Sequence, residues 1–395
     1  MTDGVVISGP APRTAIELLR RWWGDKPLAQ ALILAAVAAL LVLLGVNVLT
    51  SMRRLGMSPT LDYLWQPANF DISESLIVFK AGDPYWRAIL VGVLNTLKLA
   101  FFGCALSTLL GVTLGVARVS GNPLVSGMVQ AYVELIRNTP LTLQLFFWIA
   151  ATRALPAARQ ALQPLPSTFL SVRGVFLPWL RIEGGDVWPL ILVLAILAVV
   201  IGVMRRRLER PLPAPAFACL LALFPIVGAI WMWAFGITLR LDIPSLKGFN
   251  ITGGISLTPE FAAMLVGLTV YYAASISEIV RSGLQSVSKG QWEAGHALGL
   301  ASPRILRLVV IPQAMRVITP LMTSSYLDLT KDTTLGVLIG FTEVTAIIKT
   351  SANNTGNAVE TIIVLVAVFL SISLPVSALI NAYNRSLAKR GMFAA

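Results

Sequence analysis

Charged residues three or four positions apart, inside otherwise apolar stretches, are the first candidates for chemistry in this sequence. They form three groups: Glu134 with Arg137, Glu278 with Arg281, and Asp328 with Lys331 and Asp332. On a helix such residues share one face, so opposite charges can pair. A charge at the centre of a bilayer costs about 2.5–3.5 kcal/mol and needs a partner or a wet cavity. The groups either line a path for a solute that carries both charges or join helices, and the residues alone leave both interpretations open.

Catalytic motifs are missing from the sequence. It contains neither a Gly-x-x-x-x-Gly-Lys-Ser/Thr phosphate loop nor a Gly-x-Ser-x-Gly nucleophile elbow. The single histidine, His296, and the two cysteines, Cys104 and Cys219, are too few and too scattered for a metal cluster. The sequence therefore predicts no enzyme, no metal site and no cofactor in this chain, and it favours a transport pathway.

The composition is that of a membrane protein. Of 395 residues, 56% are hydrophobic and 13% are charged, and the mean hydropathy is +0.77. Soluble proteins carry roughly 25% charged residues. The net charge of +12 is spread in short clusters between apolar runs. This distribution is typical of membrane topology and does not predict nucleic-acid binding.

Apolar runs of roughly 20 residues predict membrane-spanning helices. Eight are predicted: 28–48, 88–117, 128–151, 187–204, 213–237, 259–280, 310–345 and 358–383. A modest excess of basic residues in alternate connections predicts that both termini are cytoplasmic. The long connections 51–87, 152–186 and 239–258 lie on the opposite side. We expect them to be structured segments that dock a partner or form a lid, with simple connection as the alternative.

The cytoplasmic connection 285–312 is predicted to form two short helices with a sharp corner, which we call the elbow. Gly299 suits a left-handed helix end. Ser302 is predicted to cap the next helix, with Pro303 at its first position. Small residues are expected to leave one surface flat enough for another protein to approach: Ala294, Gly295, Ala297 and Gly299.

The elbow resembles the EAA motif of ABC-importer permeases. That motif is Glu-Ala-Ala, three residues, Gly, nine residues, Ile, one residue and Leu-Pro. This chain has Glu293 and Ala294, Gly295 in place of the second alanine, and Gly299 at the motif's spacing, followed by Val309, Ile311 and Pro312. The resemblance implies that the elbow docks into a groove of a separate ATP-binding subunit. The residues to which this role extends are Glu293, Ala294, Gly295, Gly299, Ser302, Pro303 and Pro312.

Other stretches resemble permeases for polar amino acids of the histidine/glutamine type. They are 92–97, 132–141 with Gln144, and 331–335, within the regions 88–152 and 258–385. The additional first span, segment 70–77 and the two inserted spans are similar to a longer subgroup, the general L-amino-acid permeases of the Aap/Bzt type, Q-like subunit.

This resemblance implies an all-α polytopic membrane protein with the type I ABC-importer permease fold, in which three extra spans are added to a five-helix core. The implied division is a cytoplasmic N-terminus (1–27), an extra span with an outer segment (28–87), the first part of the core (88–152), an insertion with two spans (153–257), the second part of the core with the elbow (258–385) and a cytoplasmic tail (386–395).

The implied function is import of L-amino acids through the bacterial inner membrane by alternating access. The implied partners are ATPase subunits that bind ATP and Mg, a second homologous permease, a periplasmic amino-acid-binding protein and membrane lipid. Candidates for the substrate path or for helix pairing are Glu134, Arg137, Thr139, Gln144, Glu278, Arg281, Asp328, Lys331 and Asp332. An ion-coupled secondary transporter is the first alternative, although the inverted repeats and matched broken helices typical of one are not identifiable. A membrane scaffold without transport activity is the second.

Overall fold

The structure of the chain, a computed structural model, describes residues 27–54, 60–184 and 214–387, with residues 193, 196–197 and 200–201 between them. Most of the predicted span 187–204, the N-terminal segment and the C-terminal tail lie outside the described residues. The α-helices are α1 (Pro27–Arg54), α2 (Tyr85–Arg118), α3 (Pro123–Arg137), α4 (Leu141–Arg153), α5 (Ala214–Ala234), α6 (Pro259–Gln285), α7 (Lys289–Ala297), α8 (Ser302–Ile305), α9 (Ile311–Asp332), α10 (Val344–Thr355) and α11 (Ala358–Leu387). The strands are β1 (Phe169–Ser171), β2 (Gly174–Leu177), β3 (Trp179–Glu183), β4 (Thr238–Asp242), β5 (Ser245–Lys247), β6 (Asn250–Thr252) and β7 (Ile255–Leu257).

Five helical stretches in the described part of the chain are long and apolar enough to cross a membrane. They are Leu28–Met52, Tyr85–Arg118, Pro259–Gln285, Ser302–Leu338 and Ala358–Ala378. These helices confirm the polytopic helical class.

The predicted count of eight spans is not confirmed. The predicted span 128–151 is two helices, α3 and α4, because Pro140 disfavours helical backbone at the residue before it and so ends the first helix. The predicted span 310–345 is not one α-helix either, since α9 passes into a 3₁₀ turn, Thr333–Leu338, before α10 begins.

Helix α6 lies at the centre of the bundle. Its most apolar window is 61% buried, whereas that of α1 is 0% buried. Two glycines let α2 pack directly on α6: a Cβ on Gly111 would lie 2.7 Å from Cβ of Ile276, and one on Gly115 would lie 2.7 Å from Cβ of Val280. The small-residue spacing in α2 therefore marks a close helix contact.

The segment between α1 and α2 packs as a structured unit, as the sequence predicts. Tyr63, in a short 3₁₀ turn, and Ala68 are buried against Tyr85 at the start of α2 and against Val344 and Ile347 of α10. Residues 60–84, which we call the accessory segment, therefore pack into the helical core and are not a free connection.

The two other long connections form β-structure together. Strands β1, β2 and β7 make an antiparallel sheet that joins both, and β3 pairs with β4. The sequence from Asn250 to Gly254 is typical of a turn, but 250–252 form strand β6, which pairs with β5, and only 253–254 form a bend. Gly253 and Gly254 have the positive φ angles, +89° and +66°, that such a turn requires.

Candidate functional site

The corner of the elbow is built around Gly299, as predicted. Its φ is +72°, a left-handed conformation that glycine adopts without steric cost. The N–H of Leu298 donates to the carbonyl of Ala294, and the N–H of Leu300 donates to that of Gly295, both at 3.1 Å. These bonds satisfy the last carbonyls of α7 and turn the chain sharply.

Gly295 lies inside the corner and not on its outer surface, which corrects the expectation that it lies on an exposed flat face. A Cβ at this position would lie 2.8 Å from Cγ1 of Ile305. Ile305 is fully buried, in a cluster with Val287, Val310 and Ala314. A Cβ here would force Ile305 to shift, so glycine at the position of the motif's second alanine lets α7 seat directly on α8.

The outer face of the elbow is open. Glu293, Ala294, Ala297 and Gly299 are exposed, and Leu298 at the tip is 79% exposed. Glu293 forms no ion pair with any residue that the structure describes. A carboxylate beside small residues and an apolar tip is a surface that another protein can contact closely.

The predicted cap at Ser302 is wrong. Ala301 is the N-cap residue of α8, and no side chain caps this end. The carbonyl of Ala301 accepts the N–H groups of Arg304 at 2.8 Å and Ile305 at 3.1 Å. Ser302 is therefore already inside the helix, and Pro303 occupies its second position, where a missing N–H still costs nothing.

The second arm of the elbow continues into the membrane bundle. After α8 the chain makes a π-helical turn, Leu306–Val310, and enters α9. Pro312 lies in the first turn of α9 and has no N–H to donate to the carbonyl four residues earlier, which fits a widened turn just before it. The helical backbone thus runs from Ser302 to Asp332 without a loop.

Glu278 is the centre of a charge group at the elbow end of α6. The predicted pair with Arg281 is formed, with Nε of Arg281 3.2 Å from both carboxylate oxygens of Glu278. Arg118, at the end of α2, binds the same carboxylate. This second arginine joins α2 to α6, so the group fits helix pairing.

The group on α9 divides into a partly buried contact and an exposed one. The hydroxyl of Tyr272 on α6 donates to Oδ2 of Asp332 at 2.7 Å. Asp328 and Lys331 are 3.6 Å apart with side chains 62% and 61% exposed, so their charges face away from the packed helices of this chain. Charges of both signs are therefore presented on one side of α9.

The predicted pairing of Glu134 with Arg137 is not formed. Both residues are exposed, and Glu134 instead accepts a hydrogen bond of 2.7 Å from Gln130, one helical turn earlier. The described residues include no ion-pair partner for Arg137. The spacing of Glu134 and Arg137 allows an ion pair but does not require one, because Gln130 on the same helix face can contact Glu134 instead.

Gln144 holds the break between α3 and α4. Its side-chain amide donates to the carbonyls of Ile136 at 2.9 Å and Thr139 at 3.0 Å. The hydroxyl of Thr139 in turn donates to the carbonyl of Leu135 at 2.8 Å. Both side chains satisfy the end of α3, so their first task in the structure is to shape the helix break.

A buried charge pair between Lys98 and Glu74 was not predicted. Nζ of Lys98 on α2 lies 2.5 Å from Oε1 of Glu74 in the accessory segment, and both side chains are less than 10% exposed. The other oxygen of Glu74 accepts the N–H of Thr258, and Lys98 lies 4.3 Å from the ring centroid of Phe261. A lone lysine inside the apolar run 88–117 was the available signal, because such a charge requires a partner.

Comparison with known proteins places the chain. Residues 107–389 match the family described as "Binding-protein-dependent transport system inner membrane component". The chain belongs to this family. It is 38% identical over 370 residues to the putative amino-acid ABC transporter permease protein YhdX of Escherichia coli, covering 91% of this chain and 93% of the relative.

Two further relatives are similar along nearly their whole length. The general L-amino acid transport system permease protein AapQ of Rhizobium johnstonii is 36% identical, with 87% of each chain covered. The glutamate/glutamine/aspartate/asparagine transport system permease protein BztB of Rhodobacter capsulatus is 34% identical, with 91% of this chain and 92% of the relative covered. The family expected from the motifs is thereby confirmed.

Proposed function

We propose that this permease is the membrane subunit of an ATP-driven importer that carries L-amino acids across the bacterial inner membrane, after delivery by a periplasmic binding protein. Family membership and the names of its full-length relatives support the cargo class and the dependence on a binding protein. The observation that carries the proposal is the elbow, whose open face on α7 packs through Gly295 on α8, where the helical backbone that continues into the bundle begins.

The elbow is where motion enters the bundle. ATP binding closes two separate motor subunits that hold the outer face of α7, including Glu293. Because Gly295 seats α7 on Ile305, a displacement of α7 moves α8. Helical backbone from Ser302 to Asp332 then carries the displacement along α9. The contact between Tyr272 and Asp332 transmits it to α6 at the centre of the bundle.

Alternating access follows if ATP stabilises one arrangement of the helices more than the other. A ligand shifts a conformational equilibrium only by its differential affinity for the two states. The chain itself is non-catalytic in this scheme, and ATP and Mg are bound by the partner subunits.

The exposed charges on α9 suit the proposed cargo. An amino acid carries an ammonium and a carboxylate, and Asp328 and Lys331 offer one charge of each sign away from the packed core. We assign this face to the solute path, or to its border with a second, non-identical permease subunit. Arg118, Glu278 and Arg281 are assigned to helix pairing.

Co-reconstitution of the chain with its ATPase subunits, second permease and binding protein tests the proposal. We expect ATP hydrolysis that rises when an L-amino acid is added and amino-acid uptake that requires ATP. Uptake by the chain alone, driven by an ion gradient, would show the secondary transporter instead. A complex that assembles but never moves solute would show the scaffold.

The proposed topology has both termini in the cytoplasm, with the elbow on the same side. A cysteine introduced at Arg304, which is exposed, reports this directly in a background that lacks the native cysteines. In intact cells, R304C should resist a membrane-impermeant thiol reagent and react once the membrane is opened. Labelling in intact cells would reverse the topology.

A further inference from the structure

A buried carboxylate lies outside the elbow and the charge groups described above. Glu360, in the first turn of α11, is only 3% exposed, and neither of its oxygens has a hydrogen-bond partner among the described residues. Removing a carboxylate from water without a partner is costly. Buried polar groups are normally satisfied, so an unpaired one requires an explanation.

Glu360 lines a groove of about 410 Å³ between the end of α1 and the start of α11. The lining residues are Asn47, Val48, Ser51, Met52, Gly356, Ala358, Val359 and Glu360. The nearby Tyr63 hydroxyl is also buried without a partner among the described residues. Burial raises the pKa of Tyr63, and the negative charge of Glu360 raises it further. The groove therefore combines one acid with neutral oxygen acceptors and an apolar wall.

The start of a helix favours a negative charge, but only modestly, by about 0.3–1 kcal/mol. Glu260 also lies in the first turn of its helix, α6, but it is only partly buried and does not line this groove. The helix N-terminus alone therefore does not explain why Glu360 is buried while both of its carboxylate oxygens lack hydrogen-bond partners among the described residues.

We propose that the groove binds a primary ammonium group, with the Glu360 carboxylate as its counter-ion. An ammonium presents three N–H donors, and Asn47 and Ser51, which carry side-chain oxygens, line the groove together with the Glu360 carboxylate. Calcium takes about six to eight oxygen ligands, more than one carboxylate and two neutral groups supply.

The apolar wall points to the source of the ammonium group. Val48 and Val359 continue the groove along α1 and α11, and the apolar window of α1 is 0% buried in this chain, which leaves it open to lipid. A phospholipid whose headgroup ends in a primary amine matches both parts, because its ammonium reaches Glu360 while its chains follow the helices. This inference does not rest on the proposed transport function.

Nanodiscs of defined composition test the site in the full chain. Replacing phosphatidylcholine with phosphatidylethanolamine should raise the thermal unfolding midpoint of the wild type, and native mass spectrometry should show retained phosphatidylethanolamine. In E360Q the apparent affinity for this lipid should fall about tenfold or more, the loss expected for one charge-assisted contact. The matched variant E260Q should behave as the wild type.

The remaining measurements distinguish a lipid headgroup from free ammonium in solution and state which results overturn the proposal. If free ethanolamine added to phosphatidylcholine discs reproduces the effect, the site binds ammonium from solution. If E360Q retains the lipid dependence, or if E260Q loses it equally, the proposal is overturned. If E360Q does not fold, the wild type decides, since equal unfolding midpoints with the two lipids would overturn the proposal.

Discussion

Charged residues have opposite roles in the elbow and in the buried pair of the bundle. In the elbow, the motif acid Glu293 is exposed and unpaired in the described chain, while the contact that holds the corner, Gly295 on Ile305, is apolar. In the bundle, Glu74 and Lys98 are buried and paired with each other. The difference teaches that the elbow keeps its exposed acid for a partner, whereas the buried pair of the bundle is used within the chain.

The largest expected effect on the free energy of unfolding is at the buried pair of Glu74 and Lys98. E74Q should lower the free energy of unfolding by about 3–5 kcal/mol, because it leaves Lys98 charged and unpaired at a buried site. Replacing both residues, in E74Q/K98M, should recover part of that loss. Thermal or denaturant unfolding in detergent micelles measures both variants, and E74Q with wild-type stability would contradict the buried pair.

Removing the contact between α6 and α9 should have the next largest effect. Y272F deletes the donor to Asp332 and should cost about 1.5–3 kcal/mol, the range for a hydrogen bond to a charged group. Tyr271 is a matched control, since it is the neighbouring tyrosine and donates no hydrogen bond to a described residue. Equal unfolding midpoints for Y272F and Y271F would show that the Asp332 contact does not hold these helices.

The apolar contact of the elbow should respond to a single methyl group. G295A should cost about 1–3 kcal/mol through overpacking against Ile305. Combined with I305A, it should cost less than the sum of the two single changes. A Cβ added at Gly290, in the same helix, would have no neighbouring atom within 4 Å, so G290A should be neutral or slightly stabilising. Additive effects of G295A and I305A would argue against the direct contact.

The smallest effect on stability is expected at the exposed charges of α9. K331Q should change the free energy of unfolding by less than about 0.5 kcal/mol, because the pair with Asp328 is exposed to solvent in this chain. If this face lines the solute path, amino-acid uptake should nevertheless fall in the reconstituted complex. Unchanged uptake would place the path elsewhere.

How far the sequence predicts the structure depends on how far apart the interacting residues are. The left-handed stop at Gly299 and the pair of Glu278 with Arg281 follow from local rules, and both are confirmed. Arg118 reaches the same carboxylate from 160 residues away in the chain, which no local spacing indicates. Glu74 and Lys98 meet in the same way, through the packing of the accessory segment.

Local rules also fail where neighbouring alternatives are nearly equal. Ser302 and Ala301 differ by one position as the start of α8, and the backbone selects Ala301. Glu134 has Gln130 and Arg137 at similar spacing, and it contacts Gln130. Gly295 is recognisable as a motif position, but its packing on Ile305 depends on how the corner closes.

The central claim is that the open face of the elbow is held by a separate ATPase. The most direct measurement compares E293K with E183K, which makes the same charge change at an exposed position on β3. In membranes with equal amounts of both variants, E293K should lose co-purification of the ATPase and ATP-driven uptake, while E183K retains both. Normal ATPase binding and uptake in E293K would contradict the account.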